Sequence, residues 1–304
     1  MARKAIIDIG SNSVKLFVGE QAPDRTIRTV LETNDVARLA EGLDRTGRIG
    51  REPMKRNVDA VSRFAEKARE LGADEIACVG TMALREASNA AVFVRRVKRT
   101  CGVDVRIIPG EEEARLSYLA ARTGLPVGDG DLVVFDTGGG STEFIFGRGT
   151  EITKRFSVNL ASVRITETVL KSDPVTEEEL AAAIARIDAE LAEAGVTGAP
   201  EMLIGIGGTV TTMGAVKRKM TRYDADAIRG SVLTKEDIEA QIRLYAARTI
   251  EQRREIPGLP PKRADIILAG ACILKVITDR LGVDGLTISD RGLRHGLAYE
   301  LFRK

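Results

Sequence analysis

Residues 5–20 read AIIDIGSNSVKLFVGE, and residues 133–148 read VVFDTGGGSTEFIFGR. A shift of 128 positions aligns Asp8 with Asp136 and Gly10 with Gly138, and it also superposes the flanking apolar residues. Each stretch is an apolar run ending in Asp, a turn of small residues and a second apolar run, which is the pattern of a β-hairpin. A hairpin repeated in each half of the chain predicts two similarly built lobes.

Strands and helices alternate after each copy of the hairpin. After the first copy the patterns predict strands at 26–32, 75–80 and 103–108 and helices at 52–71, 90–100 and 111–122. After the second they predict strands at 152–157, 202–206 and 286–289 and helices at 177–194, 211–220, 235–250, a long one ending near 281, and 292–302. Asn89, Thr176 and Thr234 are the predicted N-caps of three of these helices. The alternation predicts an α/β class with a largely covered sheet in each half.

The domain boundary is predicted at the Gly/Pro-rich run GLPVGDG, residues 124–130. The N-terminal lobe is then 1–125 and the C-terminal lobe 126–291. A chain of 304 residues is long for one compact core and comfortable for two domains.

Composition is that of an ordinary globular protein, with 43% hydrophobic and 30% charged residues and a net charge of +2. Aromatic residues are 4% and Trp is absent, so base stacking on nucleic acid is not expected. The N-terminus has no signal-peptide pattern, and the longest apolar run, 266–274, is too short to span a bilayer. We expect a cytoplasmic location and no membrane partner.

The stretch from Asp136 to Glu143 is the most informative for chemistry. The backbone amides of Gly138, Gly139 and Gly140 can form an anion-binding nest, and Ser141 and Thr142 add hydroxyls. The two carboxylates at its ends are suited to a hard cation such as Mg²⁺. The alternative is a flexible hairpin turn with solvated acids, and this motif alone leaves both interpretations open.

Two further loops have similar features. The first hairpin turn carries Ser11, Asn12 and Ser13, and Gly207, Gly208 and Thr209 join a strand to a helix, so that backbone amides point at an anion. Either loop alone could be an ordinary turn or a packing junction. Three such loops in one chain favour phosphate as the ligand.

Charged residues outside the loops supply further candidates. Arg85 follows a predicted strand and would fork onto phosphate oxygens. His295 is the only histidine, so a glutamate is the better candidate for a general base. Lys217, Arg218 and Lys219 follow the third loop and are candidates for tracking a long anionic chain, although such runs are usually solvated helix faces.

Taken together, these segments resemble the exopolyphosphatase/guanosine pentaphosphate phosphohydrolase (Ppx/GppA) family of the actin-like ATPase superfamily. The resemblance rests on segments in the family's order along the whole chain: 8–13, 80–89, 110–114, 136–143, 207–209, 257–265 and 289–294. It implies two actin-like, ribonuclease H-like lobes with an interlobe active-site cleft. It also implies that the closing helix, about 292–304, packs back on the N-terminal lobe.

The resemblance also implies roles for individual residues. Glu113 would be the general base, with Glu112 as the alternative register, and Arg85 would be a catalytic phosphate ligand. Asp136 and Glu143, with Asp8 as a further candidate, would hold Mg²⁺ or Mn²⁺. Phosphate would be bound by the three loops, at Ser11, Asn12, Ser13, Gly138, Gly139, Gly140, Ser141, Thr142, Gly207, Gly208 and Thr209.

The implied activity is that of a phosphoric anhydride hydrolase, an exopolyphosphatase that removes terminal phosphate from inorganic polyphosphate. The nearest alternative is a guanosine pentaphosphate (pppGpp) 5′-phosphohydrolase of the stringent response. A kinase and a non-catalytic sensor of pppGpp or ppGpp are more distant alternatives. The sequence ends at Lys304, so the HD-type helical domain of long family members is not expected, and a homodimer is a family expectation. His295 stands where an acidic residue is common in the family.

Overall fold

The computed structural model describes residues 2–23, 26–138, 140–149 and 151–303. Residues 2–120 and 293–303 form one compact unit, and residues 121–292 form the other. The change of unit at residue 120 falls inside the helix Gly110–Gly124 rather than in the Gly/Pro-rich run that was predicted as the linker. The helix persists because its buried face, including Leu116 and Ala120, continues to the boundary.

The first unit contains five strands and five helices before the boundary. The strands are β1 (Arg3–Ile9), β2 (Val14–Gln21), β3 (Ile27–Asp35), β4 (Glu75–Gly80) and β5 (Val105–Ile107). The helices are α1 (Leu43–Thr46), α2 (Arg51–Glu70), α3 (Met82–Glu86), α4 (Ala90–Cys101) and α5 (Gly110–Gly124). The sheet order is β3-β2-β1-β4-β5; its first three strands are antiparallel, and β1, β4 and β5 are parallel.

The second unit carries a six-stranded mixed sheet. Its strands are β6 (Asp131–Thr137), β7 (Thr142–Arg148), β8 (Glu151–Val158), β9 (Met202–Ile206), β10 (Val232–Thr234) and β11 (Gly285–Ile288). Its helices are α6 (Ser162–Thr168), α7 (Glu177–Glu193), α8 (Gly208–Lys217), α9 (Ala225–Ile228), α10 (Lys235–Ala246), α11 (Ile250–Arg253) and α12 (Ile267–Arg280), with a 3₁₀ turn at Pro261–Arg263. The sheet order is β10-β11-β9-β6-β7-β8.

The two sheets share one plan. Read from β8, the second sheet has an antiparallel β8-β7-β6 meander followed by parallel β9 and β11, as the first sheet has β3-β2-β1 followed by β4 and β5. The turns also match, because Gly10 N–H donates to Ser13 O at 3.0 Å and Gly138 N–H donates to Ser141 O at 3.0 Å. The predicted α/β class with two similarly built lobes is therefore confirmed.

Both sheets are covered on their two faces, which explains their near-continuous apolar strands. Alternate residues of β1 enter two different clusters: Ala5, Ile7 and Ile9 pack under α2 and α4, while Ile6 packs on the other side. That other side is covered by the closing helix α13 (Leu293–Arg303), which packs against β1 and β2.

Three local expectations differ from the structure. α8 begins at Gly208 rather than near 211 and ends at Lys217, and the helix expected over 235–250 ends at Ala246, with α11 following as a separate turn. Asn89 stands at the N-cap of α4 but makes no side-chain cap. Its amide instead binds both backbone polar groups of Ile49, at 2.9 Å each. The predicted N-caps at Thr176 and Thr234 form, and each belongs to a capping box.

Within the described ranges, no helix combines the length and the hydropathy that a membrane span requires.

Candidate functional site

The candidate site of the second unit lies at the carboxyl ends of the parallel strands β6 and β9. Asp136 stands opposite Glu143 of β7 on one side and opposite Ile206 of β9 on the other. Gly138, which follows β6, and the Gly207–Gly208 turn, which follows β9, therefore leave the same edge of the sheet. Ligands of α/β proteins bind at this edge, outside the carboxyl ends of the strands.

Asp136 and Glu143 are a cross-strand pair of carboxylates. Side chains directly opposite each other on antiparallel strands share a face, and two like charges there repel each other. Glu143 is only 2% exposed, and its Oε1 accepts hydrogen bonds from Ser141 Oγ at 2.6 Å and Ser157 Oγ at 2.9 Å. These hydroxyls hold the Glu143 carboxylate in one orientation.

Ser157 was not predicted as a site residue. It lies on β8 directly opposite Glu143, so the register of three adjacent strands brings it to the carboxylate. A serine inside a predicted strand has no motif of its own. The only available signal was the three-strand register, which the sequence alone did not establish.

Gly207 lies against the Asp136 carboxylate and requires the absence of a side chain. Its φ is +102°, and a Cβ at this position would lie 2.5 Å from the backbone O of Thr137 and 2.7 Å from Asp136 Oδ1. The close approach brings the Gly207–Gly208 peptide to the carboxylate pair. The first two site loops of the second unit are thus in direct contact.

Replacing Gly207 by Ala is expected to destabilise the second unit by about 3 kcal/mol, because backbone strain and a steric clash add. Gly282→Ala is the matched control, since Gly282 has φ +60° but no atom within 4 Å of the added Cβ. Strain alone should cost about 1–2 kcal/mol there. Urea unfolding followed by circular dichroism compares the two variants, and equal losses would contradict the close approach.

Arg263 is the cation of this site. A Cβ added to Gly208 would collide with its guanidinium, so the guanidinium lies directly on the first residue of α8. It makes no hydrogen bond or ion pair with any described residue, and burial lowers the pKa of Arg263. A partly buried guanidinium without an anionic partner, placed at a helix N-terminus, is a ready contact for phosphate oxygens. Arg263 was predicted only as part of the family segment 257–265, because Gly208, which it contacts, is distant in sequence.

The hydroxyls of the glycine-rich loop do not all face the same way. Thr142 is fully buried, and its Oγ1 donates to Leu160 O at 2.7 Å and lies 3.1 Å from Thr137 Oγ1. The Thr142 side chain is therefore a structural contact, which corrects its prediction as a side-chain phosphate ligand. Gly139 lies outside the described residues, whereas Ser141 contacts Glu143 of the carboxylate pair.

In the first unit, the carboxyl ends of β1, β4 and β5 bring together a second set of predicted residues. Arg85 on α3 donates through Nη1 to Glu113 Oε2 at 2.8 Å and to Ile108 O at 3.0 Å. Glu113 is 9% exposed on the first turn of α5. The guanidinium holds the Glu113 carboxylate in one orientation. The two residues predicted as catalytic thus touch each other.

The neighbouring glutamates have other surroundings. Glu112 binds Arg106 Nη1 through both oxygens, at 2.9 and 2.8 Å, and Glu111 is exposed. Glu113 is the member of the three that α5 turns toward Arg85. The alternative register at Glu112 therefore has less structural support.

The first hairpin turn is enclosed rather than open. Ser11, Asn12 and Ser13 are 5–7% exposed, and Asn12 Oδ1 has no hydrogen-bond partner among the described residues. A buried amide oxygen left unpaired costs about 1–3 kcal/mol, so a ligand or water is needed there. Asp8, in contrast, is paired with Lys15 at 3.3 Å, its cross-strand partner. Lys15 occupies the position that Glu143 has in the other hairpin, so Asp8 is neutralised within the protein and is a poor candidate for a metal ligand.

Lys217 is exposed and pairs with an acidic residue of a different helix. Its Nζ donates to Asp237 Oδ2 at 2.6 Å and to Val232 O at 2.9 Å. These bonds tie the end of α8 to β10 and α10, and polyphosphate tracking by Lys217 stays a prediction. Arg218 and Lys219 are exposed, and the φ of Lys219 is +50°.

The chemistry of the donor set fits a hard divalent cation. Mg²⁺ is usually held by one or two carboxylates together with water and substrate phosphates. Asp136 and Glu143 provide two such carboxylates at neighbouring positions. Among the residues that the structure describes, no group of three or more His, Cys, Asp or Glu side chains could hold a metal by itself. Substrate oxygens would therefore complete the coordination.

Comparison with known proteins identifies the family. The sequence model of the Ppx/GppA phosphatase family matches residues 3–304. Exopolyphosphatase 2 of Mycobacterium tuberculosis is 32% identical over 317 aligned residues, with 99% of each chain covered. A guanosine-5′-triphosphate,3′-diphosphate pyrophosphatase of Photobacterium profundum is 31% identical over 303 residues, and the match covers 99% of this chain and 59% of that protein.

A solved structure agrees with the sequence comparisons. The crystal structure of the Aquifex aeolicus member of the Ppx/GppA family has a TM-score of 0.84 and 32% identity, with 99% of this chain and 97% of that chain covered. The chain belongs to the Ppx/GppA phosphatase family, whose members hydrolyse phosphoanhydride bonds.

Proposed function

We propose that this protein is an exopolyphosphatase, which hydrolyses the terminal phosphoanhydride bond of inorganic polyphosphate. The observation that carries the proposal is the arrangement around Asp136 in the second unit. Two small-residue turns, a carboxylate pair and an arginine that makes no ion pair with a described residue meet at one edge of the sheet. This combination suits a terminal phosphate that carries several negative charges.

In the proposed reaction, Glu113 is the general base. The Glu113 carboxylate accepts a proton from a water molecule whose oxygen attacks the terminal phosphorus. The bond between this phosphorus and the bridging oxygen breaks, and the bridging oxygen leaves as the new end of the shortened chain. Arg85 orients Glu113 through the 2.8 Å contact and presents its remaining nitrogens to phosphate oxygens.

The second unit binds and stabilises the charged phosphates. The amides of the 207–208 turn and the Arg263 guanidinium would donate to phosphate oxygens as negative charge moves to the leaving oxygen. Asp136 and Glu143 would hold Mg²⁺, or Mn²⁺, which supplies positive charge to the same oxygens when bound. Ser141 and Ser157 keep Glu143 oriented for this role.

The test of the proposed function is a side-by-side assay of phosphate release. Long-chain polyphosphate and pppGpp are supplied at equal concentrations of terminal phosphate, with Mg²⁺. We expect a higher kcat/KM for polyphosphate. Release from pppGpp alone would instead identify a pppGpp phosphohydrolase, and tight binding of pppGpp without turnover would identify a sensor.

A specific observation favours hydrolysis of pppGpp as the second candidate. Tyr223, in the loop after α8, is 53% exposed and lies close to Thr211. Partial burial raises the pKa of Tyr223 to about 12. Thr211 Oγ1 in turn donates to Gly207 O at 3.1 Å. An open aromatic face fixed beside a phosphate loop is suited to stacking on a purine base.

Tyr223→Ala is expected to raise the KM for pppGpp about 5–100-fold if the base stacks there, since stacking is worth about 1–3 kcal/mol per base. Hydrolysis of polyphosphate, which has no base, should be unaffected, and Tyr223→Phe should retain the stacking. Val232→Ala is the matched control, because Val232 is a 48% exposed apolar side chain of the same unit. Steady-state kinetics with both substrates check this, and equal losses on both would eliminate the base-stacking role.

A further inference from the structure

Arg253, on α11, is the largest fully buried side chain among the described residues, and it lies outside the chemistry described above. It is 2% exposed, and burial lowers its pKa. Taking a cation out of water costs several kcal/mol unless hydrogen bonds compensate. Because Arg253 contacts backbone oxygens and makes no ion pair with a described carboxylate, its burial indicates a role in holding backbone segments.

Two hydrogen bonds of Arg253 identify the backbone segments that it connects. Its Nε donates to Tyr245 O at 2.7 Å, and its Nη1 donates to Ala264 O at 3.4 Å. Tyr245 lies in the last turn of α10, where the helix dipole favours a cation. Nη2 has no hydrogen-bond partner among the described residues. The guanidinium thus bridges the end of α10 and the residue that directly follows Arg263.

The bridge belongs to a buried polar chain that begins on α8. Gln241 Nε2 donates to Met213 O of α8 at 3.0 Å, and Tyr245 Oη donates to Gln241 Oε1 at 2.6 Å. Arg253 extends the chain from Tyr245 to Ala264. The preceding residue, Arg263, places its guanidinium on Gly208, the first residue of α8. The chain of contacts therefore starts and ends on the same helix.

We propose that Arg253 is a positioning residue that holds the Arg263 guanidinium over Gly208. The inference rests on the proposed function, in which Arg263 contacts a phosphate. Arg253 fixes the peptide that follows Arg263, and the Gln241–Tyr245 contacts fix that peptide relative to α8. Arg263 and the 207–208 amides then form one preorganised phosphate site, and the segment at 260–264 does not have to be ordered when the ligand binds.

The test is a double-mutant cycle on Arg253 and Arg263. Arg253→Met keeps a long side chain in the cavity and removes both hydrogen bonds. It is expected to weaken binding of inorganic tripolyphosphate, and to lower kcat/KM for polyphosphate, by about 10–100-fold. In the Arg263→Ala background the same substitution should change either quantity by less than about twofold, because no guanidinium is left to position. Isothermal titration calorimetry with tripolyphosphate supplies the binding constants.

Two further variants keep the test decisive. Arg254→Met is the matched control, since the adjacent Arg254 is exposed and pairs with Glu251, and it should behave as the native protein. If circular dichroism shows that the Arg253→Met variant does not fold, Arg253→Lys replaces it in the double-mutant cycle. Its ammonium can reach one of the two carbonyls, so a smaller loss is expected that again vanishes in the Arg263→Ala background.

The outcomes separate this inference from the proposed function. A loss of the same size in both Arg263 backgrounds would overturn the positioning role and leave Arg253 as a residue of general stability. Binding of tripolyphosphate without hydrolysis of polyphosphate would overturn the proposed function, while the cycle on the binding constants would still test positioning. A native protein that does not bind tripolyphosphate would overturn both.

Discussion

Glutamine in place of Glu113 is expected to lower the turnover number for phosphate release about 10²–10⁴-fold, the usual contribution of a general base. The amide has the same shape and keeps a hydrogen-bond acceptor for Arg85, but it cannot accept the proton of the attacking water. KM should change little, because Glu113 is proposed to act on water rather than on the phosphate chain. Steady-state phosphate release from polyphosphate measures both quantities.

Glu112→Gln is the matched control for this substitution. Glu112 precedes Glu113 on the same helical turn but is bound to Arg106 at the surface. It should retain turnover within about twofold, as surface changes usually have small effects. Native turnover in a well-folded Glu113→Gln protein, or a larger loss at Glu112, would remove Glu113 from the mechanism.

Asparagine in place of Asp136 is expected to raise the Mg²⁺ concentration that the enzyme requires for activity. Asp136 stands between Glu143 and the Gly207 turn, and its replacement leaves one carboxylate where two are proposed to hold the ion. Changes to groups that merely support metal ligands already cost about 10–100-fold in affinity. We therefore expect the Mg²⁺ concentration for half-maximal activity to rise by about 100-fold or more, with lower activity at saturation.

Asp131→Asn is the control for Asp136. Asp131 opens the same strand and is an exposed partner of Arg148 at 2.9 Å. This variant should retain the native Mg²⁺ dependence, since exposed ion pairs contribute little. The comparison uses Mg²⁺ titrations of phosphate release, with direct Mg²⁺ binding followed by calorimetry. An unchanged half-maximal concentration for Asp136→Asn would show that the carboxylate pair does not hold the ion.

Features encoded in contiguous sequence were predicted well. The two hairpins and their small-residue turns follow from local alternation and turn chemistry, and the shift between them predicted the shared sheet plan. The capping boxes at Thr176 and Thr234 lie within four residues, so they could also be recognised. The three glycine-containing loops could be placed at strand ends for the same reason.

Features that depend on tertiary contacts were missed or predicted wrongly. The basic run after the third loop predicted a polyphosphate track. The ion pair of Lys217 with Asp237 of a different helix was not predicted. Asn89 was expected to cap its own helix, but its side chain forms hydrogen bonds with the backbone of Ile49 in a distant loop. Ser157, Arg253 and the exact placement of Arg263 follow from strand register and loop packing, which local pattern does not encode.

The most direct test of the account is phosphate release from long-chain polyphosphate by the native protein, with Mg²⁺ present and after its removal with a chelator. We predict continuous release of orthophosphate from the chain ends. This release should stop when Mg²⁺ is chelated and resume when Mg²⁺ is returned. No release with Mg²⁺ present, or release that is unchanged after chelation, would contradict it.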